Sequence, residues 1–309
     1  MTLNELRYIV AVARERHFGR AASSCFVSQP TLSVAVKKLE DELNVKIFER
    51  GASEVVVTPI GKQIVDQAQT VLETAAQVKE IAAGGDPFSE PLRVGIIHTV
   101  GPYLLPHLIP VLRQQLPDMP LIIEEGFTSD LRVRLKQGNL DAIIISKPFE
   151  EPGVELRSLY EEPFVVVVPV SHQWAKRKSI TRDELSTETV LLLGQGHCFR
   201  DQVLQVCPGC LMPGQGDDLQ KTLESGSIET IRHMVASGVG VTVLPCSAAG
   251  DEDYSRKLLS VKRFTGTAPR REVALAFRKG YPRAQAIHAL VSAIQSSTIG
   301  CVEMTGAVT

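Results

Sequence analysis

A helix start is written tightly into residues 27–43, VSQPTLSVAVKKLEDEL. The hydroxyl of Ser28 can cap a new helix. Pro30 falls in the first turn, where its missing N–H costs little, and Val27 and Leu32 flank the cap as a hydrophobic staple. The helix so specified carries an inner stripe of Leu32, Val36, Leu39 and Leu43, which turns Gln29, Thr31, Ser33, Lys37 and Lys38 outward. Ahead of it, Ala21, Ala22 and Cys25 form a small-residue helix face, and Phe26-Val27 leaves room only for a tight turn. Two helices so joined can lay the second in a DNA major groove, where outward side chains reach base edges and phosphates.

The flanking sequence extends this unit. Leu6, Val10 and Ala13 recur at helical spacing, and Gly51 sits between two β-branched runs as the turn of a wing. Arg50, just before that turn, is placed for the minor groove or a phosphate. Residues 1–58 therefore read as a winged helix-turn-helix. A continuous helix follows over 59–85, with Thr58 as N-cap, Pro59 at the first position and Gly84-Gly85 as the stop. Ile64, Ala68, Val71, Ala75, Val78 and Ala82 alternate by four and three, a heptad seam that predicts a partner helix. Packing on its own domain is the plainer alternative.

From residue 88 to 309 the pattern becomes α/β, with strand-like runs at 92–97, 142–145, 164–168, 190–193, 241–244 and 273–277. Joints near Pro163 and over 266–269 divide the region into lobe I, about 88–163 plus 268–300, and lobe II, about 164–267. Ligands in such folds sit at the carboxyl ends of strands.

Charge narrows the partners only weakly. The formal net charge is −2, and residues 1–59 hold eight Lys/Arg against seven Asp/Glu, so DNA binding must rest on shape and capping more than on field. Glu40, Asp41 and Glu42 are expected to point away from DNA. The apolar stretch 8–13 is cut off by Arg14, Glu15 and Arg16, too short for a signal or a membrane span, so a cytoplasmic chain with no membrane partner is expected. Six irregularly spaced cysteines do not form a secreted disulfide scaffold and are expected to be free thiols.

In order and spacing, HFGRAA, VSQPTLSVAVKKLEDEL, IFER and TPIG, followed by a long helix and an α/β region, resemble the LysR-type transcriptional regulators over the whole chain. The resemblance implies operator DNA as partner, with Gln29, Pro30, Thr31, Ser33 and Lys37 on the recognition helix. It also implies a homodimer through the linker helix, a homotetramer, contact with RNA polymerase, and a two-lobed effector domain resembling type II periplasmic binding proteins.

The second informative stretch is residues 194–207, GQGHCFRDQVLQVC. Cys198, flanked by His197 and Arg200 at a helix start, is placed where positive charge can stabilise a thiolate; an inert buried cysteine is the alternative. If the intervening residues are helical, Cys198 and Cys207 lie about 13 Å apart on opposite faces, whereas a disulfide needs Cα atoms within about 7 Å. A bond between them would require that helix to unwind.

GHCFRD, the eight residues between the cysteines, HTVGPYLLPHLIP and SIETIRHMVASGVGVTVLP resemble the peroxide-sensing branch of the family. That resemblance implies Cys198 as the thiol oxidised by hydrogen peroxide and Cys207 as the resolving thiol. It implies Thr99 and Thr128 as peroxide holders, with His197, Arg200 and Asp201 around the sulfur; Thr99 could equally be a helix cap. The chain departs from the pattern at Cys207-Pro208-Gly209-Cys210, where Cys210 could compete for Cys198 or pair with Cys207. This C-x-x-C is read against zinc because no second ligand pair follows, and neither metal nor cofactor is expected. Cys25 reads as core, and Cys246 and Cys301 sit in no recognisable motif. The leading expectation is a peroxide-responsive regulator. Its rivals are a LysR-type regulator that binds a small organic metabolite between the lobes, and a turnover thiol peroxidase.

Overall fold

A computed structural model describes residues 1–50, 55–83, 86–211, 224–250 and 257–305. Three helices open the chain: α1 (Leu3–Glu15), α2 (Phe18–Ser24) and α3 (Gln29–Leu43). The Ser28 hydroxyl accepts the Thr31 amide at 3.3 Å, Leu32 is buried and Val27 packs on the same core, as the staple requires. Strands β1 (Phe48–Arg50) and β2 (Val55–Val57) pair antiparallel; the wing turn and Gly51 lie outside the described residues.

The inner stripe of α3 differs from expectation at its end. Leu43 is exposed and Glu40 is buried in its place. The Glu40 carboxylate accepts the amides of Ile47 at 2.8 Å and Phe48 at 3.1 Å and pairs with Lys46 at 3.0 Å. Burial opposes its ionisation, but the Phe48 amide, Lys46 and the Ile47 amide together hold it below the usual carboxylate range. Glu40 thus fixes the start of the wing. Lys38 faces outward as expected, and its ammonium pairs with Glu5 at 3.2 Å.

Helix α4 (Pro59–Ala83) starts where the sequence places it, with the Thr58 hydroxyl accepting the Gly61 amide at 2.9 Å. A Cβ on Gly61 would stand 2.2 Å from the Ile47 carbonyl oxygen, so only glycine allows α4 this close to the wing. The first part of the seam packs on its own domain: Ala68 is buried, and Ile64 and Val71 lie against the helix-turn-helix core. Val78 remains 65% exposed.

The remaining elements build one hydrogen-bonded sheet around two separate cores. In lobe I, β3 (Leu92–Ile97) lies between parallel β4 (Leu121–Gly126) and β5 (Ala142–Ser146), and β12 (Arg270–Arg278) pairs antiparallel with β5. Helices α5 (Gly101–Gln115), α6 (Thr128–Lys136) and the helix Ala284–Ser296 accompany these strands. In lobe II, after the short β7 (Ser179–Ile180) and α7 (Arg182–Leu185), β8 (Val190–Leu193) is parallel to β10 (Val241–Pro245) and to β9 (Glu224–Ser225), with α8 (Cys198–Val206) and α9 (Ile228–Ala236) against them. One core runs from Leu92 to Tyr160 and from Val273 to Ile299, and the other from Phe164 to Phe264.

Pro163 does not break the chain into two strands. A single strand, β6 (Val154–Pro169), passes through it and changes partners there. Residues 154–163 pair with β12, whereas Phe164 onward pairs with β10 and then with β11 (Leu259–Phe264). A proline is tolerated because it sits at the last rung of one ladder and the edge of the next.

Glu40→Ala would leave the Ile47 and Phe48 amides without their carboxylate. Its expected cost is about 2 kcal/mol or more, read as a lower denaturation midpoint of the N-terminal domain with the α/β region unchanged.

Candidate functional site

Strand ends and one helix start converge on Cys198. His98 and Thr99 follow β3, Phe127 and Thr128 follow β4, and Cys198 opens α8 with His197 as its N-cap. The rings of His98, Phe127 and His197 meet edge to face, with centroids 4.8 to 5.8 Å apart. Gly196, at φ 93°, brings the chain so near that a Cβ would contact the Phe127 ring at 3.3 Å.

Helix α8 straddles the two cores. Phe199, Val203, Val206 and Cys207 are buried in lobe II, whereas Cys198, a half-buried free thiol, packs against the core of lobe I. Gln202, one turn on, donates to the Ser146 hydroxyl at 2.9 Å and the Lys147 carbonyl at 3.1 Å. One face of α8 therefore grips lobe I while the other belongs to lobe II.

The polar surroundings are unevenly satisfied. Arg271 donates to the Thr99 hydroxyl and carbonyl oxygens, each at 2.8 Å, and pairs with Glu162 at 2.7 Å, with neither charged side chain exposed. Its guanidinium also lies 5.4 Å above the Phe199 ring. Thr99 is thus anchored from β12 and is not a helix cap; the N-cap of α5 is Val100. By contrast, the buried Thr128 hydroxyl and His197 Nε2 have no hydrogen-bond partner in the protein. Two orphaned buried polar atoms, joined through the contact between the Phe127 and His197 rings, are what a small polar ligand would satisfy.

Two sequence expectations change here. Burial, and then neighbouring His98, push the His197 pKa down, against a hydrogen bond with the Gly226 backbone. The neutral imidazole is thereby favoured, so His197 is a poor source of positive charge for the sulfur. Arg200 is engaged elsewhere, by the Leu193 carbonyl and by Glu224, both at 2.8 Å, and Asp201 is exposed. The helix N-terminus remains as the positive end beside the thiol.

Cysteine pairing also differs from the all-thiol expectation. Cys207 is disulfide-bonded while Cys198 is free, so the two are not bridged to each other. Helix α8 runs unbroken between them. The side chain of Cys210 lies outside the described residues. Cys246 and Cys301 form a disulfide that no motif announced. Among the described residues no group of three or more His, Cys, Asp or Glu could hold a metal ion.

At the other end of the molecule, Gln29, Pro30, Thr31 and Lys37 are exposed on α3 and Ser33 is half-buried. Thr31 also shares a 2.8 Å hydrogen bond with Ser28. Phe26, in the turn, is 95% exposed, a feature its apolar character hid from sequence reasoning. Arg50 ends β1, and its side chain lies outside the described ones.

The family model for bacterial regulatory helix-turn-helix proteins of the lysR family matches residues 3–62, and that for the LysR substrate binding domain matches residues 85–298. The chain belongs to the LysR family. It is 39% identical over 301 residues, 97% of each chain, to the DNA-binding transcriptional dual regulator OxyR of Escherichia coli strain K12. It is 36% identical to the hydrogen peroxide-inducible genes activator of Haemophilus influenzae, over 95% of this chain and 96% of that one. Among solved structures, a cysteine-to-aspartate variant of full-length OxyR from Pseudomonas aeruginosa superposes with a TM-score of 0.81 at 51% identity, covering 100% and 99% of the two chains. A hydrogen peroxide-bound variant of Corynebacterium glutamicum OxyR gives 0.61 at 32% identity, covering 95% and 91%. The LysR frame accounts for the helix-turn-helix, the linker helix and the two-lobed α/β domain of this chain.

The lowered His197 pKa carries a sign. The unfolded chain binds this proton more tightly than the folded one, so its contribution to stability is complete above about pH 6.5 and is lost as pH falls towards the folded value. Denaturation midpoints measured across this range should drop on acidification, and His197→Gln should flatten that component.

Proposed function

We propose that this LysR-family chain is a DNA-binding transcriptional regulator of the oxidative stress response that senses hydrogen peroxide through Cys198. The observation that carries the proposal is the free Cys198 thiol in the lobe junction, next in sequence to His197, whose Nε2 is unpartnered and whose ring meets Phe127, the residue before the unpartnered Thr128 hydroxyl. Hydrogen peroxide offers two donors and two acceptors in a small volume, which suits those atoms and the Thr99 hydroxyl.

The Cys198 sulfur attacks one peroxide oxygen and the O–O bond breaks, giving a sulfenic acid, while the departing oxygen takes up a proton and leaves as water. The Cys207 thiolate then attacks the sulfenic sulfur, forming the disulfide and releasing a second water. Cys207 must be a free thiol for this step, so the bridge that engages it here is first opened by two exchanges with a dithiol reductant, which leaves as its own disulfide. Because α8 holds the two sulfurs at opposite ends, closure unwinds the helix, pulls Cys198 off the lobe I core and breaks the Gln202 contacts with Ser146 and Lys147.

The rearrangement has a route to the DNA-binding domain. Lobe I is tied to α4 by Lys136 with Asp66 at 3.3 Å and by Arg278 with Glu73. Exposed Val78 and the remaining seam fit a second copy along α4, and pairs of dimers give a tetramer. Operator DNA docks on Gln29, Pro30, Thr31, Ser33, Lys37 and Arg50, RNA polymerase is the downstream partner, and the chain acts in the cytoplasm. Cys198 works once per signal and not as a turnover peroxidase. A second reading, a metabolite-responsive regulator, is favoured by a cleft of about 630 Å³ lined by Lys147, Phe149, Gln202 and Arg271, within the range of small-molecule sites.

On reduced protein, low peroxide should shift the operator footprint and yield a Cys198–Cys207 peptide by mass spectrometry, and Cys198→Ser should abolish both. A Cys198→Ser protein whose footprint still shifts with peroxide would overturn the proposal. A metabolite that raises the melting temperature of that variant would favour the second reading.

A further inference from the structure

The Cys246–Cys301 disulfide lies outside the peroxide chemistry described above and occupies a telling place. Cys246 directly follows β10, in the sheet of lobe II. Cys301 lies after the helix Ala284–Ser296, whose apolar side packs in lobe I. Two residues further, Glu303 and Met304 pair with Glu161 and Tyr160 of β6, just before that strand changes partners at Pro163. The Cα atoms of the two cysteines are 6.1 Å apart and the chain between them spans 55 residues. The bridge therefore joins the two lobes across the strand they share. Cys301 is exposed and Cys246 half-buried, so small thiols and oxidants can reach the sulfurs.

A continuous polar chain leads from this bridge to the thiol site. The backbone amide of Ser247, next to Cys246, donates to Glu162 at 3.0 Å. The other Glu162 oxygen accepts from Arg271 Nε at 2.8 Å, and Arg271 holds both oxygens of Thr99 and covers the ring of Phe199, the neighbour of Cys198. Glu162 and Arg271 are fully enclosed, so a displacement of Ser247 cannot be absorbed by water.

We propose that Cys246 and Cys301 are a second thiol–disulfide site, which staples the lobes at their junction and, through Ser247, Glu162 and Arg271, sets the accessibility of Cys198. Its closure by a hydroperoxide balances simply. One thiolate attacks the O–O bond to give a sulfenic acid and, after protonation of the leaving oxygen, water or an alcohol; the other thiol displaces water from the sulfenic sulfur to form the disulfide. A dithiol reverses it by two exchanges, leaving two thiols and an oxidised dithiol. The coupling concerns the thiol assigned above to peroxide sensing, but its test does not require that assignment.

The test uses the full-length protein. Non-reducing peptide maps of the Cys198→Ser protein, reduced and then treated with hydrogen peroxide, should contain a Cys246–Cys301 cross-linked peptide. Its absence after oxidation would overturn the site. In a second arm, the alkylation rate of Cys198 by iodoacetamide is compared between the bridged wild type and the variants Cys246→Ser and Cys301→Ser. Either variant opens the staple, and both should speed alkylation by about fivefold, the low end of ordinary coupling between sites. Unchanged rates, or an effect of only one variant, would overturn the coupling while leaving the mapped bridge in place. Failure of peroxide to oxidise Cys198 in the wild type would instead count against the sensing proposal alone, since alkylation reads the thiol directly.

Discussion

A guanidinium and a carboxylate with no solvent exposure, Arg271 and Glu162, face each other across β12 and β6 where the two lobes meet. Removing water from both charges is expensive, and the arrangement is tolerable only because the remaining polar valences are used. Arg271 spends its other N–H groups on Thr99, and Glu162 takes the Ser247 amide. The pair consequently fixes three segments that are far apart in sequence: the end of β3, the residues after β10 and the middle of β6. The face of Phe199 lies under the same guanidinium. The geometry around Cys198 is held from below by this one interaction.

Above that anchor the site is deliberately incomplete in its hydrogen bonding. Thr99 is held on two sides, whereas Thr128 and His197 each keep a buried polar atom without a partner. A neutral imidazole suits such a place, because a buried cation with no counter-charge would be far more costly. The same enclosure that lowers the His197 pKa keeps the ring stack of His98, Phe127 and His197 together. Helix α8 turns local chemistry into a change of shape, since its two faces are committed to different lobes and the two cysteines stand at its two ends. A covalent bond between those ends is incompatible with nine residues of intact helix.

Much of the N-terminal domain was legible because its signals are local. Ser28, Pro30, Val27 and Leu32 specify a helix start within six residues, and Thr58 and Pro59 do so again for α4. Strand cores such as Leu92–Ile97 and Val190–Leu193 were readable as apolar runs for the same reason. The role of Glu40 was not legible: nothing in a charged triplet marks one acid as buried, and only the return of the chain at Ile47 and Phe48 gives it two amides to bind. The first ten residues of β6, VELRSLYEEP, carry too much charge to look like an interior strand; their acids are matched by Arg270 and Arg271 more than a hundred positions away.

By itself, the sequence determined the helix caps, the seam of the linker helix, the strand cores of an α/β domain and the presence of a cysteine at a helix start. These follow from spacing and from side chains acting on their own backbone within a turn or two. Tertiary structure decided what surrounds that cysteine. It lowered the pKa of His197, sent Arg200 to Glu224, brought in Arg271 to hold Thr99, and joined Cys246 to Cys301. Each of these depends on desolvation or on contacts between segments brought together only by the sheet, and neither quantity is encoded in the order of neighbouring residues.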